Sequence, residues 1–150
     1  MNAQIFSKIN LQNAYHQIHI AEENEWKTAF QTWYKHFKYT VLFFELCNTS
    51  VIFQIYINKI LQRLLNIFCI IYLNNILVFS KNKAQHAKHL QLIMNRLWKH
   101  KLYVKKIKYK FFIMKMKFLR FIVSMNRVSM NLSQINIIIN WSESIIFQEI

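Results

Sequence analysis

Apolar and polar positions alternate in short, aromatic-rich stretches through the first third of the chain, and residues 6–11, 17–21, 28–33 and 37–43 each read as a half-buried strand. At Ser50 the period changes. Ile52, Tyr56, Ile60 and Leu64, beside Phe53, Ile57 and Leu61, form a stripe of helical spacing that predicts a helix capped by Ser50 and running to about residue 65. An apolar run over 67–73, two asparagines and a second run over 76–79 predict a tight β-hairpin. Asn74 and Asn75 are expected at its tip, because asparagine tolerates the left-handed backbone of a two-residue turn. A second amphipathic helix is predicted over 84–100, with Leu90, Ile93, Met94, Leu97 and Trp98 on its apolar face and His86, Lys88, Arg96 and Lys99 elsewhere. Strands over 118–124 and 127–130 and a short helix over 132–141 complete the domain. Helices interspersed with hairpins, without regular βαβ alternation, predict an α+β fold in which an antiparallel sheet packs on two main helices.

The length of 150 residues suits one domain, and a 54% hydrophobic content argues against disorder. No apolar run approaches the roughly 20 residues of a membrane helix, and Met1 leads into an alternating segment rather than a secretory signal. No membrane and no small-molecule metabolite is expected as a partner. Cys47 and Cys69 form no CxxC pair and read as plain buried thiols of a reducing, intracellular compartment, cytoplasm or nucleus. Glycine, proline and aspartate are absent, where average usage would supply about ten Gly and about seven Pro. The formal net charge of +14 points toward a polyanion.

Candidate chemistry is thin. Without aspartate a Ser-His-Asp triad cannot form, though glutamate could substitute, and without glycine no nucleophile elbow can form, so hydrolase readings lose most of their weight. His86 and His89 share a helix at i, i+3 but lack a completing ligand set, so a solvated helix face is the expected reading. Glu22, Glu23 and Glu25 read as a solvated turn. Lys105, Lys106, Lys108, Lys110, Lys115 and Lys117 surround Tyr109, Phe111 and Phe112. That pattern fits either a track for a nucleic-acid backbone or a basic surface strand with its aromatics turned inward.

Specific blocks then stand out. The segment from Phe6 to Ile18, FSKINLQNAYHQI, resembles the signature of gypsy-type LTR-retrotransposon reverse transcriptases, in which the position of Asn10 is an aspartate. Further blocks follow in that family's order: Trp26 to Phe30, Phe43 to Ser50 with Phe53-Gln54, the YLNNILVFS segment from Tyr72 to Ser80, which is similar to the family's YLDDILIFS hairpin, and Phe118 to Ser124. The resemblance runs from about residue 5 to 141. It implies a polymerase palm with part of the fingers over 1–141, with 142–150 as the truncated start of a following region and the upstream fingers, thumb, ribonuclease H and integrase absent.

The resemblance also implies DNA synthesis on an RNA or DNA template-primer, with two magnesium ions held by three aspartates. Here those positions are Asn10, Asn74 and Asn75. Two hard dications held close together need carboxylates, so no metal or other cofactor is expected in this copy, and catalysis is expected to be abolished. By the same resemblance Tyr15 gates against the ribose 2′-hydroxyl, and Phe44 and Gln54 keep family identities on the nucleotide and template side. Lys108 matches a lysine that helps protonate pyrophosphate, and Lys105, Lys106, Lys108 and Lys110 are expected along nucleic acid. Glu45 and Arg120 replace family glycines, and Ser50 replaces a helix-leading proline. Asp to Asn, Gly to Glu or Arg, and Pro to Ser each follow from one G:C to A:T transition, which points to a degenerate copy decayed by cytosine hypermutation. The alternative is a folded, non-catalytic basic module that binds nucleic acid.

Overall fold

The computed structural model describes residues 3–105, 110–125 and 127–141. In chain order its strands and helices are β1 (Ile5–Asn10), β2 (Phe30–Gln31), β3 (His36–Phe37), α1 (Thr49–Leu61), β4 (Cys69–Tyr72), β5 (Asn75–Ser80), α2 (Lys83–Lys99), β6 (Lys110–Ile113), β7 (Lys115–Phe118), β8 (Phe121–Ser124), β9 (Arg127–Met130) and α3 (Leu132–Ile139). The central sheet is antiparallel, in the order β4-β5-β1-β6.

Its two faces are both covered. Because strand side chains alternate, Ile9 of β1 and Ile76 and Val78 of β5 turn to one side, where Phe53, Ile57 and Leu61 of α1 and Ile93 and Leu97 of α2 close a buried core. Phe6, Leu77 and Phe79 turn to the other side and pack on Met116 and Phe118 of β7, part of a second antiparallel sheet in the order β7-β8-β9. The expected α+β arrangement of an antiparallel sheet on two main helices is present. Asn10 and Asn75 are register partners at the end of the β1/β5 ladder. They lie in step with Phe6 and Leu77, on the face away from the helices.

Several elements differ from expectation. The strand expected over 17–21 is replaced by a 3-10 turn at Tyr15–Gln17 and an extended stretch with one isolated bridge, His19 to Val41. The strands expected over 28–33 and 37–43 shrink to the two-residue pair β2 and β3. Alternation there reflects a stack of rings on one open face: Phe30 and Phe37 stay 43% and 48% exposed and stack at 5.8 Å. Among the described residues no second layer covers them to extend the pairing.

Helix α1 begins at Thr49, after Asn48 rather than Ser50, and the Thr49 hydroxyl donates to the Phe43 carbonyl at 2.7 Å. It ends at Leu61, not about residue 65, and the chain turns through Asn66 with φ 60°. The strand expected over 118–124 breaks into β7 and β8 around a turn at Leu119 and Arg120. The last helix stops at Ile139. On α2, Trp98 is exposed and His86 is fully buried, the reverse of the expected faces. Among the described residues no helix is long and apolar enough to cross a membrane.

Candidate functional site

The β4/β5 hairpin and β1 bring Asn10, Asn74 and Asn75 together. Tyr72 pairs with Asn75, so the two-residue loop is Leu73-Asn74 and Asn75 is the first residue of β5. The tip was expected at Asn74 and Asn75; the left-handed residue is instead Leu73, with φ 51°. Tertiary anchoring overrides asparagine's turn preference here. The Leu73 N–H donates to Gln54 Oε1 at 2.7 Å, Gln54 Nε2 donates to Asn58 Oδ1 at 2.9 Å, and the Leu11 N–H donates to the Asn74 carbonyl at 2.8 Å.

The three asparagine side chains form a chain of amides. Asn10 Nδ2 donates to Asn75 Oδ1 at 3.1 Å, and Asn75 Nδ2 donates to Asn74 Oδ1 at 2.8 Å. The amide oxygens of Asn74 and Asn75 thus already accept hydrogen bonds within the cluster, and none of the three groups carries charge. A pair of magnesium ions, as the resemblance implies, does not fit this donor set: an amide oxygen can touch such an ion but carries no charge to offset two dications held close together. Among the described residues, no group of three or more His, Cys, Asp or Glu side chains could hold a metal ion.

Tyr15 and Phe44 meet edge to face at 5.7 Å, and Tyr15 leans on the buried Phe53 ring at 4.8 Å. Burial raises the Tyr15 pKa. Phe44 is exposed, whereas Gln54 is committed to the hairpin turn. Neither Glu45 nor Arg120 has positive φ.

Lys105 is exposed and its N–H donates to the Asn10 carbonyl at 2.9 Å, while Lys110 pairs across the ladder with Lys8. Lys106 and Lys108 lie outside the described residues. From Leu46 through Ser142 the sequence contains no acidic side chain, yet it holds every Lys and Arg except Lys8, Lys27, Lys35 and Lys38. The acidic group expected as a solvated turn is a 3-10 helix, Glu22–Thr28, in which Glu22 and Glu23 are exposed, whereas the Glu25 side chain is only 12% exposed and pairs with Lys38 at 2.6 Å.

One polar network escaped the sequence reading. His86 is fully buried, with Nε2 at 2.7 Å from Ser7 Oγ and Nδ1 at 2.8 Å from Ser80 Oγ, and Ser80 Oγ also meets His89 Nδ1 at 2.8 Å. The Phe112 N–H donates to Ser7 Oγ at 3.2 Å, so β1, β5, β6 and α2 are tied at one point. Desolvation by burial, with His89 nearby, lowers the His86 pKa. The signal was available: residues 86, 90, 93 and 97 share one helical face. Of the two thiols expected to be buried, Cys47 is exposed, on the loop that leads into α1, and Cys69 is buried, which pushes its pKa up to about 11 and leaves it unreactive.

A family model described as reverse transcriptase (RNA-dependent DNA polymerase) matches residues 1–123. The chain is 39% identical over 94 residues to the retrovirus-related Pol polyprotein from transposon 297 of Drosophila melanogaster, covering 63% of this chain and 9% of that polyprotein. It is 32% identical over 104 residues to the transposon Tf2-7 polyprotein of Schizosaccharomyces pombe, covering 69% of this chain and 8% of that one. The chain therefore spans only about a tenth of the length of the curated relatives it matches. In fold it is similar to the foamy viral protease-reverse transcriptase in complex with RNA/DNA hybrid, with a TM-score of 0.82 at 20% identity, covering 95% of this chain and 19% of that one. The dRH form of the foamy viral enzyme in complex with double-stranded DNA gives a TM-score of 0.84 at 20% identity, covering 95% and 25%.

Proposed function

We propose that this chain, which belongs to the reverse transcriptase (RNA-dependent DNA polymerase) family, is a degenerate copy of a gypsy-type retrotransposon palm with part of the fingers, and that it does not catalyse nucleotidyl transfer. The observation that carries this reading is the amide chain from Asn10 through Asn75 to Asn74. Phosphoryl and nucleotidyl transfer through metal ions requires that dications activate the attacking hydroxyl and stabilise the leaving oxygen. Three neutral amides, linked by two hydrogen bonds, present no negative oxygen where a pair of cations needs it. Tyr15 and Phe44, in ring contact, stand on the nucleotide side, and Gln54 acts as a support for the hairpin that carries Asn74 and Asn75.

Primer extension on an RNA or DNA template with magnesium or manganese tests the reading. Incorporation no greater than a protein-free blank is expected. Incorporation above it overturns the proposal. Restoring aspartate at 10, 74 and 75 together then reports whether the rest of the palm is competent.

A second reading concerns binding rather than catalysis. The stretch without acidic side chains favours a basic surface that still holds RNA or DNA template-primer, as the foamy viral enzymes do in complexes with RNA/DNA hybrid and double-stranded DNA. Such binding weakens with salt, because each lysine–phosphate contact releases counterions. Affinity insensitive to salt, or a molten product without cooperative unfolding, would sink it.

A further inference from the structure

Trp98, expected on the apolar face of α2, is 80% exposed at the end of that helix. The way the helix stops builds its surroundings. Lys101 adopts a left-handed conformation at φ 56°, the Lys101 N–H donates to the Trp98 carbonyl at 3.0 Å, and the Leu102 N–H donates to the Leu97 carbonyl at 2.9 Å. These are the paired bonds of a Schellman ending, and Leu97 and Leu102, both buried, supply its apolar contact. The reversal carries Tyr103 back beside Trp98. Tyr103 is 54% exposed, and its carbonyl is held by the Gln12 N–H at 2.8 Å. Trp98, Lys99, Lys101, Leu102 and Tyr103 line a hollow of about 450 Å³.

We propose that this hollow is a stacking platform for an unpaired base of single-stranded nucleic acid, with Trp98 and Tyr103 offering ring faces and Lys99 and Lys101 neutralising the adjacent phosphates. Cationic charge alone suits any polyanion. Two exposed aromatic rings beside it select a strand whose bases are free to stack, since in a duplex the base faces already cover one another. The hollow lies within the segment devoid of acidic side chains, so no carboxylate neighbouring in sequence opposes phosphate there. A rigid helix ending holds the rings in place before binding, which limits the ordering cost. The platform rests on the reading of the basic surface as one that binds nucleic acid, and is independent of the asparagine cluster.

Fluorescence anisotropy with a labelled oligothymidylate and a labelled duplex of equal length, at one low salt concentration, tests it on the full chain. Trp98→Ala and Tyr103→Ala are each expected to weaken the single strand about 5- to 150-fold, the range for one lost base–aromatic stack, and to change duplex affinity less than about twofold. Trp98→Phe retains most of the single-strand affinity. Because Trp98 is exposed, its replacement removes no core contact, and unchanged far-UV circular dichroism verifies the fold. Equal losses on single strand and duplex, or no loss on either, overturn the platform while leaving the binding surface intact. Competition by thymidine monophosphate as effective as by the oligomer overturns it in favour of a mononucleotide pocket. Failure of the unmodified chain to bind either probe overturns the nucleic-acid reading itself, and the platform with it.

Discussion

Replacing Asn10 and Asn75 with aspartate confronts the fold with two like charges at a position where it now has a hydrogen bond. The residues are register partners, and their side chains meet at 3.1 Å. Two carboxylates about 4 Å apart repel by about 4 kcal/mol at an effective dielectric of about 20. Both side chains are half-buried rather than dry, so solvent screening leaves about 2 kcal/mol of this. The lost amide bond adds about 1 kcal/mol. A total of about 3 kcal/mol corresponds to a fall in melting temperature of about 6–12 °C for a domain of this size.

The assay is thermal unfolding followed by circular dichroism at neutral pH with a chelator, read as the difference between N10D/N75D and the parent. That difference should shrink near pH 4, where one carboxylate of a close pair takes up a proton, and should shrink again at neutral pH as manganese is added. An unchanged melting temperature in chelator would refute the geometry. So would a fall indifferent to both pH and cation, because repulsion between two carboxylates cannot behave that way.

Three further outcomes are expected. Burial lowers the folded pKa of His86, so the folded chain binds fewer protons than the unfolded one. The stability from keeping it neutral is complete above the ordinary imidazole value of about 6.5 and is lost as the pH falls through the lowered folded value; melting curves over this window should fall less steeply for His86→Gln, and an equally steep fall places the cause elsewhere. Gln54→Leu removes the acceptor of the Leu73 N–H and should destabilise by about 1–3 kcal/mol while speeding hydrogen exchange at that amide; unchanged exchange would mean that the turn is held by other contacts. Lys101→Gly relieves a left-handed residue whose side chain is exposed and should stabilise by about 0.5–1 kcal/mol, the strain of about 1–2 less the added freedom of glycine in the unfolded chain; a loss of stability measured by urea unfolding contradicts the Schellman ending.

The elements legible in the sequence were those in which periodicity and tertiary burial agree. The run from Ile67 to Phe79 gave its hairpin, and the spacing of Leu90, Ile93 and Leu97 gave α2, because these residues meet a core on the side their period indicates. Two kinds of detail were not legible. At Leu73 a left-handed turn falls on a residue that disfavours it, because the Gln54 side chain and the β4/β5 register fix the loop from outside. At Trp98 the period places the ring at the margin of the apolar stripe, and only the chain reversal after His100 decides that it faces solvent. His86 departs from expectation for another reason: grouped with the charged residues off the apolar face it is expected in solvent, whereas Ser7 and Ser80 on facing strands satisfy both its ring nitrogens and let it be buried. The asparagine cluster was legible as three positions, but its closure into a chain of amides required coordinates.

The left-handed residues have a consequence for the denatured ensemble. Asn13, Asn66, Leu73, Lys101, Phe112 and Leu119 hold positive φ in a chain without a single glycine. Asparagine tolerates this at Asn13 and Asn66, whereas Leu73, Lys101, Phe112 and Leu119 strain the native state, but a side chain in place of glycine also removes conformations from the unfolded chain, worth about 0.4–1 kcal/mol per position. The turns are therefore dearer when folded and less disordered when unfolded, and part of the strain cancels in the difference. With no proline, the unfolded chain also lacks prolyl isomers that interconvert over tens of seconds. It refolds from a stiffer and more uniform population than a chain with ordinary turn chemistry.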